Sequence, residues 1–350
     1  MNIRKIASWR PDPLIVMILS AVTIAILFPA RGSFASAWDT VTTGAIAFLF
    51  FLYGARLSPA EAFEGLKHWR LHTLILAFTY VVFPIIGIAL FPLQHMVGHN
   101  LYAGFLFLCL VPSTVQSSVA FTSVARGNVA GAIVSASTSN LLGVVITPVL
   151  VMFFMSGSGF HVSGSVFIDV ALQLLVPFIL GQIARLWRPI AKMSASPVTK
   201  NVDRLSIAFV VYGAFSEGIV LGVWTSIAWW QLVIVVLLSL ILVELMLWLT
   251  WTAASRFGFD YGDRVAIQFC GTKKSLATGL PMAAVIFPQS AAVIILPLMV
   301  FHQIQLMVCS VRASRYARQL DEHAASWTNT PVNRIGRGRH RYATTLSSKT

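Results

Sequence analysis

Charge is scarce in this chain. Asp, Glu, Lys and Arg make up only 11% of its 350 residues, and the acids number 12. Against 57% hydrophobic residues, that leaves too little polar surface to wrap one water-soluble core, which excludes an ordinary soluble domain. Cysteine is nearly missing as well. Cys109, Cys270 and Cys309 all lie inside apolar segments without paired metal-ligand spacing, so they are expected to be small core residues. The chain also has no His-Glu zinc motif, nucleophile elbow or nucleotide loop, which argues against an enzyme.

Long apolar sequence is what remains. A helix that crosses the hydrocarbon of a bilayer needs about 20 mostly apolar residues. Ten such segments are predicted, at 13 to 30, 38 to 55, 71 to 92, 101 to 125, 128 to 156, 163 to 186, 204 to 224, 229 to 255, 263 to 287 and 290 to 312. The fold class is therefore all-α, an integral membrane protein of ten transmembrane helices.

The net charge of +13 would suit a nucleic-acid partner, but its distribution suits a membrane. Arg4, Lys5 and Arg10 precede the first span, Arg56, Lys67 and Arg70 follow the second, and Arg126 follows the fourth. Arg185, Arg188, Lys192, Lys200 and Arg204 fill the connection after the sixth, Arg256 and Arg264 follow the eighth, and the remaining arginines and Lys349 follow the tenth. If ten spans alternate, all of these share one side. Only Arg31 falls opposite, with Lys273 and Lys274 inside the membrane. By the positive-inside rule both termini are expected in the cytoplasm of a cell that holds the protein in its inner membrane. The cations then face anionic lipid, and no nucleic acid is implied. A charged start, the apolar run Leu14 to Phe28 and Ala35-Ser36-Ala37 also fit a cleavable signal. Removing that segment would leave an odd span count and reverse the charge bias, so it is read as a retained span.

Two polar stretches interrupt these segments: Pro112 to Ser118 in the fourth, and Gly271-Thr272-Lys273-Lys274-Ser275, near Pro281, in the ninth. They echo each other. Thr114 and Thr272, Gln116 and Lys274, and Ser117 and Ser275 are separated by one common interval, a little under half the chain. Interrupted spans at matching places in two halves point to the binding site of a secondary transporter. Residues 1–12 are expected as a cytoplasmic N-terminus, 13–156 as a first five-helix repeat, 163–312 as a second, inverted one, and 315–350 as a disordered basic cytoplasmic tail. The repeat boundary is expected between Gly157 and Gly164, because an odd number of spans per repeat inverts the second half.

Backbone that leaves the helix inside the bilayer needs protein or a water-filled cavity around it. Pro112 is a sufficient cause for the first break, and the opened stretches are expected to line a cavity. The lysines are the stronger anomaly, because each costs about 2.5 to 3.5 kcal/mol near a bilayer centre on insertion scales. Adjacent residues of a helix point about 100° apart, so one lysine is expected to face the cavity and the other to reach a carboxylate or the interface. Glu244 in the eighth span and Glu217 in the seventh are the candidate acids, and such a pair serves either as a strut or as a proton exchanger. In the fifth span Ser135, Ser137, Thr138, Ser139 and Asn140 form a third polar cluster, with Ser135 and Ser139 on one face. They act either as ligands or as small residues that permit close packing. His302, Gln303 and Gln305 of the tenth span are expected in hydrogen-bonded core roles.

These residues resemble a known family. Pro112-Ser113-Thr114, Gln116-Ser117-Ser118, Ala125-Arg126-Gly127-Asn128 and Thr147-Pro148 are similar to motifs of the bile acid:sodium symporter superfamily. Cys270 to Ala277 looks like its SBF-like branch, which includes the divergent seventh member of solute carrier family ten. The resemblance spans roughly residues 10 to 315. It implies a panel of spans one, two, six and seven beside a core of three to five and eight to ten, broken crossing helices four and nine, and alternating access. It also implies sodium ligands at Ser117 and Ser118, with Ser135 and Ser139 as approximate matches. The ninth-span glutamate of the family's sodium sites is replaced by Phe269, with Gln268 beside it, and its glutamine partner by Lys273.

The function expected is a symporter of a small organic anion, held by Thr114, Gln116, Ser117, Ser118, Ser135, Ser139, Asn140, Gln268, Thr272, Lys273, Lys274 and Ser275. Coupling runs through protons on lysine and Glu244 or Glu217, or through sodium at Ser117, Ser118 and Ser135, and no other cofactor is implied. The alternative is a membrane regulator of ion homeostasis that keeps the fold without turnover.

Overall fold

Without water to satisfy them, the peptide groups of an apolar run pair within the run itself, and helix is the local outcome. The computed structural model of the chain describes residues 13–56, 68–155, 171–187, 189–190, 193, 196–220, 222, 227–288 and 290–328, which are helical with no strand among them. The first helices are α1 (Pro13–Leu27), α2 (Gly32–Arg56) and α3 (Trp69–Ala89), the last opening into a π-helical turn at Phe78–Val82. The fourth segment divides into α4 (His99–Leu110) and α5 (Gln116–Val124), and α6 (Val129–Met155) follows. Next come α7 (Val176–Ala184), α8 (Pro197–Val220) and α9 (Trp229–Arg256). The ninth segment divides into α10 (Tyr261–Thr272) and α11 (Leu276–Ile286), and α12 runs from Ala291 to Thr328.

Five of these helices are long and apolar enough to cross a membrane: α2, α3, α6, α9 and α12. The expected start of the sixth segment, the Gly157 to Gly164 boundary, residues 1–12 and residues 329–350 lie outside the described residues.

The helices pack in two groups. In one, α2 lies against α7 and α8, and α1 against α8. Contact between α2 and α7 is made by backbone: a Cβ built on Gly54 would come within 2.0 Å of the Phe178 carbonyl oxygen, and one on Gly181 within 2.0 Å of that of Phe51. Only glycine fits at either place. Trp38 of α2 wedges between Phe209 and Tyr212 of α8 and donates its indole N–H to the Phe209 carbonyl at 3.2 Å. In the other group, α9 packs on α10 and α12, α12 on α4, α5 and α11, and α6 on α3, α5 and α10. Between the groups α8 rests on α11 and α12.

The Ala125 to Asn128 turn joins this second group end to end. Arg126 holds a left-handed φ of 56°. Asn128 caps α6 through Gly131 N at 2.8 Å, donates to Asp263 at 2.7 Å and gives its own amide to the Gly262 carbonyl at 2.9 Å. Asp260 in turn caps α10 at Asp263 N, 2.8 Å away.

The expected disordered tail needs correction at its start, since α12 continues past 315 to Thr328. Tyr316 accounts for this. Its ring packs on Trp251, Tyr261 and Phe269, and Asp321 pairs with Arg126 a turn further on. One aromatic and one ion pair anchor a helix that composition alone reads as polar tail.

Candidate functional site

Prolines set the first break. Pro112 has no amide to bond the Leu108 carbonyl, and the chain turns extended at Val111, with φ −76° and ψ 156°. The helix resumes only at Gln116. The second break is shorter. Lys273 adopts φ −88° and ψ 150° and Ser275 is extended too. The Ser275 hydroxyl caps α11 by accepting from Thr278 N at 3.2 Å. Pro281, expected to bracket this break, lies inside α11 without ending it.

The two breaks are bonded to each other. Ser275 N donates to the Pro112 carbonyl at 2.7 Å, and the Ser113 hydroxyl donates to the Cys270 carbonyl at 2.6 Å. Side chains satisfy most of what unwinding leaves over. The Gln305 amide of α12 accepts from Lys274 N and donates to the Lys274 carbonyl, both at 2.9 Å, and contacts His302 Nδ1 at 2.9 Å. Ser139 Oγ accepts from Ser113 N at 3.2 Å, while Thr147 donates to the Leu110 carbonyl at 2.9 Å. Opened backbone here is therefore clothed largely by protein, which corrects the expectation that it marks a cavity wall throughout.

Both lysines are 0% exposed and point to different surroundings. Lys274 Nζ donates to three main-chain carbonyls, Thr79 at 3.0 Å, Cys109 at 2.9 Å and Val111 at 2.8 Å, with the Phe83 ring at 4.1 Å. Lys273 Nζ has no hydrogen-bond partner and lies 3.7 Å from the centroid of Phe121 on α5. Neither lysine meets a carboxylate, a second correction. Glu244 is 48% exposed and pairs instead with Arg312 at 2.7 Å, and Glu217 is exposed on α8. The physical reason is register: both acids fall on the outer faces of their helices.

Other predicted residues separate into engaged and unengaged groups. Ser118 donates to the Phe269 carbonyl at 3.4 Å, Ser135 pairs with His72 Nδ1 at 2.6 Å, and Thr272 approaches Thr250 at 3.4 Å. Asn140 accepts from Thr278 at 2.6 Å, and Gln268 donates to the Leu247 carbonyl at 2.9 Å. Thr114 is half-buried in the first break and Gln116 is exposed. Unengaged are Ser117 Oγ, Gln268 Oε1 and Lys273 Nζ, all buried and without a hydrogen-bond partner, and so is Thr122 Oγ1 on α5, which the sequence reading did not single out. A sodium ion needs several oxygens at once. Of the three serines expected to hold one, Ser117 Oγ has no hydrogen-bond partner, whereas Ser118 donates its proton to Phe269 and keeps its oxygen lone pairs, and Ser135 shares its hydrogen bond with His72.

Sequence reading missed His72, Tyr80, Phe121 and Thr278. Tyr80 donates to the Ser139 carbonyl at 2.5 Å. Nothing in an apolar run distinguishes these residues from core until their partners are known.

Apolar helices, two breaks bonded to each other and a buried amine without a hydrogen-bond partner suit a membrane transport protein. The chain belongs to the SBF-like CPA transporter family, whose model matches residues 12–318. It is 47% identical over 326 residues to an uncharacterized protein of Pseudomonas aeruginosa, covering 92% of this chain and 98% of that one. To the putative symporter YfeH of Escherichia coli it is 44% identical, over 89% of this chain and 94% of the relative. Sodium/bile acid cotransporter 7 of Danio rerio is 29% identical, over 87% and 94% respectively. The family is one of transporters rather than enzymes, and this chain is a multi-pass membrane protein.

Proposed function

We propose that the chain moves a small organic anion by alternating access and that Lys273 is the charge that meets it. One observation carries the reading. Lys273 Nζ is wholly buried with no hydrogen-bond partner, 3.7 Å from the Phe121 ring centroid on α5, and that same helix carries two further buried hydroxyls without partners, Ser117 and Thr122. A buried ammonium left unpaired costs several kcal/mol. An arriving carboxylate or sulfate would supply the missing partner, aided by the positive N-terminal ends of α5 and α11 at the breaks.

In this reading α1, α2, α7 and α8 form the panel, and α3 to α6 with α9 to α12 the core that moves against it. Their common boundary, α8 against α11 and α12, is where the site would open alternately. The halves at 13–156 and 163–312 are inverted repeats, with both termini cytoplasmic in the inner membrane.

Coupling to protons is favoured, because Phe269 stands where the resemblance places the glutamate of the sodium sites, while Lys273 offers a titratable amine with no hydrogen bond to fix its proton. Uptake into proteoliposomes under an imposed pH gradient, compared with a sodium gradient, tests this. Anion uptake driven by the pH gradient and lost in Lys273→Ala supports the reading; uptake driven only by sodium overturns the coupling, and unchanged uptake in Lys273→Ala overturns the site.

A further inference from the structure

Three carbonyls around Lys274 have lost their helical partners for separate reasons. In α3 the π turn gives Phe83 N to the Phe78 carbonyl, and Pro84, next in line, has no N–H, so the Thr79 carbonyl is left over. The Cys109 carbonyl would take Ser113 N in a continuous helix, but Ser113 N goes to Ser139 Oγ. Val111 has turned extended, so its carbonyl has no helical donor. All three converge on one nitrogen within 2.8 to 3.0 Å.

Convergent carbonyl oxygens are how proteins hold a bare monovalent cation. Here all three oxygens lie within donor reach of the nitrogen, and an ammonium has three N–H bonds to match them where a neutral amine has only two, so the geometry suits the charged form. The Phe83 ring face at 4.1 Å suits a cation as well. So does the C-terminal end of α4, the negative end of that half-helix.

We propose that Lys274 is a tethered cation: its ammonium fills a monovalent-cation site made by the Thr79, Cys109 and Val111 carbonyls, pinning the second break to α3 and α4 without a free ion. Where a mobile ion would make the join between these elements come and go, a covalently attached one makes it permanent. The inference is independent of what Lys273 binds.

Removing the side chain tests it by vacating the site. The full chain in detergent, as wild type and as Lys274→Ala, is melted in chloride salts of N-methylglucamine, sodium, potassium, ammonium and methylammonium at roughly 0.1 M, where mass action stabilises any state that binds the cation. Lys274→Ala is expected to melt several degrees below wild type in N-methylglucamine chloride. Methylammonium, ammonium or an alkali cation should restore at least half of that loss, beyond any change in wild type. Lys274→Met, which fills the space without charge, should lose stability and regain none. A Lys274→Ala melt equal to wild type, or a loss that no small cation repairs, overturns the proposal. Should Lys274→Ala yield no folded protein in any salt, wild type labelled with 15N-lysine decides. One slowly exchanging lysine ammonium signal supports the tethered cation, and its absence overturns it.

Discussion

Lys273 and Lys274 are neighbours with opposite expected responses to the same substitution. Lys273→Met removes a buried amine that has no hydrogen-bond partner and keeps an apolar chain against the Phe121 ring, so the protein should melt at or above the wild-type temperature while losing anion uptake. Lys274→Met instead strands three buried carbonyls, each worth about 1 to 3 kcal/mol when left unsatisfied, and should lower the melting temperature by about 5 °C or more. Thermal melts of the two variants side by side check this. Gln305→Leu belongs with Lys274. It strips both hydrogen bonds from the Lys274 peptide groups and should cost about 2 kcal/mol or more, read as a lower denaturation midpoint. The anomaly of two lysines in an apolar run was plain in the sequence, and so was the fact that they could not share a partner. The partners of Lys274 were hidden, because a main-chain carbonyl carries no residue identity. Lys274 finds its acceptors on Thr79, Cys109 and Val111 rather than on Glu244 or Glu217.

At the scale of elements, prolines and glycines carried most of the legible information. Pro112 marks the first break in sequence and in structure, whereas Pro281 marks nothing comparable because α11 accommodates it. What opens the second break is a set of competing partners, Gln305 and Pro112 O among them, and competition of that kind cannot be read from local propensity. The close pairing of α2 and α7 was equally silent until Gly54 and Gly181 were seen to face each other's carbonyls. Gly54→Val should therefore force these helices apart and lower folded yield sharply in detergent extraction, while Gly44→Val, whose Cβ would meet nothing within 4 Å, should be tolerated. The helical extension of α12 rests on Tyr316 more than on its ion pair. Tyr316→Ala should weaken the packing against Trp251 and Tyr261 by about 3 kcal/mol, whereas Asp321→Ala at the exposed pair should change stability by less than about 1 kcal/mol. Fluorescence-detected melting separates the two.

For the molecule as a whole, composition and the ten apolar runs pointed to an all-helical membrane protein, and the family match and the helices agree with that class. The polar residues of the two interruptions do come together, since Ser113, Ser275 and Pro112 bond across the breaks. Their division of labour is what sequence could not supply. Most of the predicted ligands turn out to be bonded to protein, and Lys273 Nζ and the Ser117 hydroxyl are left without hydrogen-bond partners. Uptake of small organic anions by the purified chain in proteoliposomes, wild type against Lys273→Met, addresses that division most directly. The account predicts uptake by wild type that collapses in a variant of equal or greater thermal stability; full uptake by Lys273→Met, folded and inserted as wild type is, would contradict it.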